Sequence, residues 1–372
     1  MRTRANAVVV NNSNLSFQKT FRDKKILITG NTGFKGSWLT LWLDKIGAHV
    51  IGFSDKSVTN PAMYQLLNIE KRIKQIYGDI SDRDSVLSLV NDAKPDFIFH
   101  LAAQSIVSKS YSNPLDTIRT NSLGTANLLD VIVETNFNGV AVMITSDKCY
   151  ENDEREYGYI ESDRLGGRDP YSASKAAAEL FLFSYIKSFL LDSKTHRIGI
   201  ARAGNVIGGG DWNPNRIIVD CVKAWISGEE VSIRNAEATR PWQHVLEPIS
   251  GYLQLAQALS LDPNLHGEAF NFGPEEANVY TVREIANKFI DYWNLKDSDR
   301  FIKFTENTTM HEAKLLKLNC EKARLKLNWT PKLNIDECLK LVADWYLEFK
   351  KNSNNLESLT LSQIEFYEKK MS

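Results

Sequence analysis

The sequence predicts an α/β protein: a Rossmann-type doubly wound parallel sheet followed by a smaller mixed α/β C-terminal lobe that would bind substrate. Three observations point there. Apolar strand-like runs alternate with helix-length segments, a glycine-rich turn follows the first run, and the alternation loses its regularity after about Gly204. Lys24–Thr29 (KKILIT) is the first buried-strand pattern, and SWLTLWLDKIG then sets Trp38, Leu41, Trp42 and Ile46 on one helical face. HVIGFS, RIKQIYGDI and DFIFHLAA read as the next three strands, with the helical stretch DRDSVLSLVNDA before the last of them. VAVMITS and HRIGIARAG continue the series, and Glu268–Gly273 (EAFNFG) is expected to return to the main sheet. TVREIANKFIDYW and IDECLKLVADWYLEF read as amphipathic helices of the second lobe. The expected boundaries are a flexible extension over 1–20, a dinucleotide-binding domain over 21–203 completed by about 242–273, a substrate lobe over 204–241 and 274–350, and a tail over 351–372.

Composition narrows the function classes. A formal net charge of -1 over 372 residues argues against a general electrostatic claim on nucleic acid or an anionic membrane. Cys149, Cys221, Cys320 and Cys338 are far apart and form no CxxC pair, so neither a zinc site nor a disulfide framework is expected; a reducing compartment, the cytoplasm, is. The apolar run Ala7–Val10 is too short for a signal-peptide core, and no run approaches the roughly 18 apolar residues of a membrane span.

The glycine turn is Gly30-Asn31-Thr32-Gly33-Phe34-Lys35-Gly36, set between a strand and a helix. Glycines there let the backbone turn tightly and approach a pyrophosphate seated at the positive end of the helix, with Thr32, Phe34 and Lys35 in the same cradle. Its GxxGxxG spacing is a variant of the dinucleotide signature GxGxxG. An acidic residue closing the second strand would bind the adenosine ribose hydroxyls and exclude a 2′-phosphate. Asp55, one place past Ser54, fills that role and favours NAD over NADP, though Lys56 follows it. Asp79-Ile80, after the third strand, would meet the adenine; a plain turn carboxylate is the competing reading of Asp79. Leu101, Ala102 and Ala103, after the fourth strand, complete the cofactor-facing set.

Tyr171 and Lys175 stand four residues apart in a segment where Asp169 can cap a helix and Pro170 suits its first turn, so both side chains share a face. A phenol with a pKa of about 10 is a poor base at neutral pH, and a neighbouring ammonium is expected to lower it. Thr145-Ser146-Asp147-Lys148 follows the strand VAVMI, and the carboxyl ends of strands are where open α/β sheets bind ligands. Ser146 precedes Tyr171 by 25 residues, a separation that lets both hydroxyls meet one substrate oxygen.

With these motifs in place, the strings GNTGFKGSWL, HLAAQSIV, TSDKCYEN, GGRDPYSASK, RAGNVIGGGDW and RPWQHVLEP resemble the extended short-chain dehydrogenases that modify sugar nucleotides, and among them the CDP-glucose 4,6-dehydratases. The resemblance runs from about Phe21 to about Phe349, with Asn31 where that pattern carries histidine. It implies loss of water from the hexose of CDP-glucose without net oxidation, giving a 4-keto-6-deoxy sugar nucleotide. Tyr171 would take the 4-hydroxyl proton as C4 passes hydride to NAD; water would leave across C5 and C6, and the hydride would return to C6. Asp147 is the candidate acid for the departing oxygen. Lys148 stands where many related dehydratases carry glutamate, and whether it is the C5 base or steadies the enolate stays open.

For the nucleotide sugar, Gln104 is the candidate for the hexose hydroxyls, Asn205 for a phosphate or sugar oxygen, and Arg240, assisted by Arg216, for the diphosphate. Helix packing is a rival account of Asn121, and core packing of Trp212 and Trp242; His100 and His244 are expected to be structural. The resemblance implies a homodimer or a tetramer, with the helices around Leu128 and Leu180 as pairing faces. A 4-epimerase would need only the Tyr/Ser machinery, so Asp147 and Lys148 argue for dehydration. A cofactor-sensing regulator would not need to keep both Tyr171 and Lys175.

Overall fold

The computed structural model describes residues 14–56, 59–191, 195–275, 279–293, 295, 298–305, 315–351 and 353–371. Its centre is a seven-stranded, wholly parallel sheet. Six strands carry labels here: β1 (Lys25–Thr29), β2 (His49–Ser54), β3 (Lys74–Tyr77), β4 (Phe97–His100), β5 (Gly139–Ile144) and β6 (His196–Ala203). The order across the sheet is Ala269–Phe272, β6, β5, β4, β1, β2, β3. β1 therefore lies between β2 and β4, with Ile26 opposite both Val50 and Phe97. The strand order reverses between β1 and β4, which opens a crevice at the carboxyl ends of these two strands.

Continuous apolar runs suit strands covered on both faces, and β1, β4 and β5 are buried along nearly their whole length. One face is covered by helices Arg83–Ala93 and Gly124–Glu134, whose Val86, Leu89, Leu128 and Ile132 form one apolar cluster with Leu27 and Ile98. The other face carries Phe34–Ile46 and Leu246–Leu261, and its apolar cluster continues into the second lobe through Trp225, Phe289 and Trp345. That lobe is built from helices Ile217–Ser227, Val282–Tyr292 and Ile335–Lys351. It also holds a parallel pair, Val231–Arg234 with Ile302–Thr305, and an antiparallel pair, Thr239–Arg240 with Tyr280–Thr281.

Both ends of the described chain carry helices, the first where the sequence suggests a loose extension and the second where it suggests a partly helical tail. The extension expected over 1–20 is helical over Asn14–Phe21. Phe17 and Phe21 are buried against Trp42, Phe97 and Phe99, and burying two such rings contributes about 3–6 kcal/mol, enough to order a short helix. Residues 1–13 of that expectation lie outside the described residues. The tail is likewise a helix, Leu356–Met371, with Ile364 and Tyr367 fully buried. Trp42 Nε1 donates to Glu368 Oε1 at 2.9 Å, and the Tyr367 hydroxyl donates to the buried carboxylate of Glu247. These partners come from distant parts of the chain, so the local pattern at either end carries no sign of them. No helix among the described residues is long and apolar enough to cross a membrane.

Candidate active site

The glycine turn stands at the mouth of the crevice, and each glycine there has its own steric reason. Gly30 takes φ 75°, and a β-carbon on it would come 2.6 Å from the Ala102 nitrogen, so only glycine lets the turn press against Leu101-Ala102. A β-carbon on Gly36 would fall 2.2 Å from the Gly30 carbonyl. Gly33 is exposed, and a β-carbon there would meet only that same carbonyl, at 3.3 Å, so its outer side is open to an approaching ligand. No side chain caps the helix Phe34–Ile46 at this end, which leaves its first amides aimed at the opening. A free helix N-terminus beside an unobstructed glycine suits a pyrophosphate.

Around the turn, Thr32 Oγ1 bonds Ser54 Oγ at 2.6 Å and the Asp55 carbonyl at 3.2 Å, tying it to the end of β2. Asp55 is exposed beside Asp79; partial burial and then the Asp79 charge raise its pKa, while Lys109 lowers it. Two carboxylates at one edge suit ribose hydroxyls and repel a phosphate. Asp79 Oδ1 accepts the Ser81 amide at 2.8 Å, so the turn role and a ligand role coexist there. Ile80 is buried beneath Gly124. Phe34 packs on Gly208, leaving its backbone toward the opening. These residues fit NAD.

Asp169 caps the helix Pro170–Tyr185 through the Ser172 amide at 2.9 Å, with Pro170 in the first turn. That helix brings Tyr171 and Lys175, both buried, beside the 145–150 turn. Ser146 Oγ donates to Asp147 Oδ1 at 2.9 Å and accepts the Lys148 amide at 3.3 Å. Lys148 Nζ lies 3.6 Å from Asp147 Oδ1. Asp147 is wholly buried, and among the described residues its Oδ2 has no hydrogen-bond partner. An unpaired buried carboxylate oxygen is costly. It is a candidate point of contact with a ligand.

The phenol departs from expectation. Burial pushes the Tyr171 pKa up to about 12; the neighbouring Ser146 hydroxyl opposes this, Asp147 adds to it, and Arg216 opposes it. In the protein alone desolvation outweighs the cations, because a buried anion loses more hydration than a neighbouring charge returns. Lys175 is brought down to about 8, by burial first, with Glu179 and Cys149 acting the other way.

Lys35 turns inward as well. Its Nζ points at the Tyr252 hydroxyl, 3.5 Å away, and burial brings its pKa to about 7, helped by Arg216 and opposed by Asp147. It thus belongs to the interior of the crevice as well as to the glycine turn. His100 bonds Thr29 Oγ1 at 2.8 Å and Thr125 Oγ1 at 3.0 Å, and burial holds its pKa near about 3. His244 is equally buried and lowered to about 3, edge-on to Trp38. Both are structural.

The substrate-side candidates divide. Asn205 takes φ 46°, a left-handed conformation that asparagine tolerates, and its Nδ2 is buried without a partner among the described residues. Arg216 is paired with Asp211 at 2.6 Å and still acts on Tyr171 and Lys35. Arg240 borders a recess with Pro274, Val279, Leu316 and Leu318. Gln104 Nε2 donates to Thr117 Oγ1 at 2.9 Å and its Oε1 accepts the Ile106 amide at 2.6 Å. Its amide shapes its own loop, with one Nε2 proton beyond the Thr117 bond. Asn121 holds that loop, donating to the Gln104 carbonyl at 3.0 Å and accepting its amide at 2.8 Å. Trp212 packs on Tyr346 and Phe349, and Trp242 is buried with Nε1 on the Tyr280 carbonyl; both belong to the core.

Sequence reasoning missed Gly204, Tyr252, Glu179 and Arg202. Glu179 left a signal one helical turn after Lys175, and Arg202 and Gly204 lie in the quoted string RAGNVIGGGDW; Tyr252 left none.

Comparison with known proteins gives a consistent picture. The family model described as GDP-mannose 4,6 dehydratase matches residues 27–342. A CDP-glucose 4,6-dehydratase of Salmonella typhimurium is 40% identical over 330 residues, 88% of this chain and 91% of that protein. A CDP-paratose 2-epimerase of Salmonella typhi is 27% identical over 346 residues, 86% of this chain and 98% of that one. Among solved structures, a dTDP-glucose 4,6-dehydratase from Streptomyces venezuelae with NAD and TYD bound superposes with a TM-score of 0.74 at 23% identity. It covers 90% of this chain and 99% of its own, a likeness that speaks to the fold.

Proposed function

The chain belongs to the GDP-mannose 4,6 dehydratase family, and from that membership we propose that it dehydrates CDP-glucose to CDP-4-keto-6-deoxyglucose. The observation that carries the chemistry is the gathering of Ser146, Asp147 and Tyr171 on one wall of the crevice, with the Asp147 carboxylate buried and half unpartnered. The base rests on the 40% identity to a CDP-glucose 4,6-dehydratase.

Bound NAD supplies the acceptor and later the donor of hydride; the cradle over Gly30–Gly36, with Asp55 and Asp79 at the adenosine end, would hold it. Leu101 to Ala103 would form its floor. Tyr171 takes the proton from the sugar 4-hydroxyl, and Ser146 and Arg216 favour its phenolate. Lys175, one turn along the same helix, adds a positive charge behind it. Once C4 is a ketone the C5 hydrogen is acidic, and hydroxide at C6 leaves only if it is protonated. Asp147 gives that proton. Lys148, with Nζ 3.6 Å from Asp147 Oδ1, faces the same region as the C5 base or as the cation that steadies the enolate. Asn205, Arg216 and Arg240 orient the nucleotide sugar.

We place this reaction in the cytoplasm and assign the enzyme a homodimer. The support for the homodimer is a set of exposed apolar side chains on two segments packed against each other: Leu115, Ile118 and Leu123 on one, and Leu180, Phe181 and Phe183 on the helix Pro170–Tyr185. Leu128 is fully buried, so its helix would pair through the turn that precedes it.

The test is incubation of the protein with CDP-, UDP-, dTDP- and GDP-glucose, followed by mass spectrometry for a product lighter by one water. Dehydration of CDP-glucose is expected. Dehydration of only another nucleotide sugar, or of none, refutes the assignment.

A further inference from the structure

Glu179 and Arg202 form a buried ion pair behind the catalytic helix, 2% and 4% exposed. Arg202 Nε donates to both carboxylate oxygens, at 2.8 and 3.0 Å, and its terminal nitrogen donates to Glu179 Oε2. The pair reaches outward in both directions. Thr145 Oγ1 donates to Glu179 Oε1 at 2.6 Å, and a second terminal nitrogen of Arg202 donates to the Tyr150 hydroxyl at 2.6 Å and the Glu161 carbonyl at 3.0 Å. Thr145 and Tyr150 bracket Ser146, Asp147 and Lys148. One ion pair therefore grips both ends of the catalytic turn.

The chain of contacts continues into the second lobe. The Tyr150 hydroxyl donates to Asn271 Oδ1 at 2.8 Å, and Asn271 Nδ2 donates to the carbonyls of Tyr159 at 2.8 Å and Asn319 at 3.1 Å. The Tyr159 amide donates to the Lys317 carbonyl, and the Asn319 amide to the Tyr159 carbonyl, both at 2.9 Å. Residues 316–318 wall the recess that Arg240 borders. From the Tyr171 helix to that wall the polar contacts run without a break. A buried ion pair is a poor device for stability alone, since apolar residues of the same volume often serve as well.

We propose that Glu179 and Arg202 are positioning residues that fix the 145–150 turn against the Tyr171/Lys175 helix and couple it to the 315–319 strap beside Arg240. This rests on the dehydratase reading, in which that turn carries the acid and the strap flanks the nucleotide. Glu179 also supports the charge of Lys175, which otherwise faces Cys149, His100 and Lys35 on neighbouring elements.

Two variants test it: Glu179→Gln, and the double variant Glu179→Gln/Arg202→Met, which does not strand the Arg202 guanidinium as a buried charge and keeps the experiment interpretable if the single one does not fold. Hydrogen exchange in the double variant should quicken together at the amides of 145–150 and 315–319, with β1 and β4 unchanged. With CDP-glucose, kcat should fall about tenfold while KM moves less than about threefold. Loss of the Glu179 charge lowers the Lys175 pKa further, so the alkaline limb of the pH profile should move to lower pH. Exchange that quickens in one segment only, that spreads through β1 and β4, or that stays at the wild-type rate overturns the proposal, as does an unchanged kcat and alkaline limb. If the wild-type protein dehydrates none of the four nucleotide sugars, the function falls, and the exchange measurement still decides the coupling.

Discussion

The Asp147 carboxylate occupies the space that a side chain at Gly204 would need: a β-carbon there would fall 1.7 Å from Asp147 Oδ2. Glycine at the end of β6 is thus a condition for the acid to lie where it does. Gly204→Ala should displace the carboxylate and lower kcat for dehydration by about 10²-fold, since small misplacements of a reacting group are costly. Binding of CDP-glucose, measured by calorimetry, should change less than about threefold. Wild-type turnover by this variant would show that Asp147 is not held to a narrow geometry.

Tyr171 and Asp147 should fail in different ways. Tyr171→Phe removes the base for the first step and should abolish turnover. Asp147→Asn should slow elimination by about 10²–10³-fold. With substrate deuterated at C4, the isotope effect on kcat should then vanish, because oxidation no longer limits the rate. A persistent isotope effect in Asp147→Asn would assign this residue to the oxidation step.

The paired carboxylates Asp55 and Asp79 predict a preference for NAD over NADP. Binding measured by calorimetry should favour NAD by at least about tenfold in the wild type, as a 2′-phosphate would meet two like charges. Asp55→Asn should narrow that gap by raising NADP affinity. Equal affinities in the wild type would remove Asp55 from the cofactor site.

Glu247 gives a pH signature at the C-terminal helix. Its carboxylate accepts the Lys332 and Leu333 amides, at 2.8 and 2.7 Å, and the Tyr367 hydroxyl, yet burial raises its pKa to about 7. The folded state then holds a proton that the unfolded chain, near its ordinary value of about 4.3, has released. Stability from this group is fully present below the unfolded pKa and is lost as pH rises through the folded one, at up to about 1.4 kcal/mol per pH unit. His100 and His244, lowered to about 3, act with the opposite sign, losing stability as pH falls below about 6.5. Because the two histidines act against Glu247 over most of that range, the readout is the difference: the Tm of Glu247→Gln should climb relative to wild type between about pH 4.5 and 7, with a constant offset below that window. A Tm difference between variant and wild type that stays constant from about pH 4.5 to 7 would contradict the assignment.

What the sequence determined by itself was whatever is written in local period and spacing. Buried-strand runs separated by amphipathic helices specify a parallel sheet. The glycine turn required at the end of the first strand, and the helical spacing of Tyr171 and Lys175, place the crevice and the shared face, because those constraints act over a few residues. The tertiary structure alone decided how those groups are supported. Gly204 meets Asp147, Lys35 turns to Tyr252, Gln104 is drawn into its own loop, and Phe17 and Tyr367 make ordered helices of the two chain ends. Apart from the Gln104 loop, these contacts join segments whose approach depends on how the sheet twists and which helices cover it. Desolvation, which raises Tyr171 and lowers Lys175, depends on the same packing, and so no motif announces it.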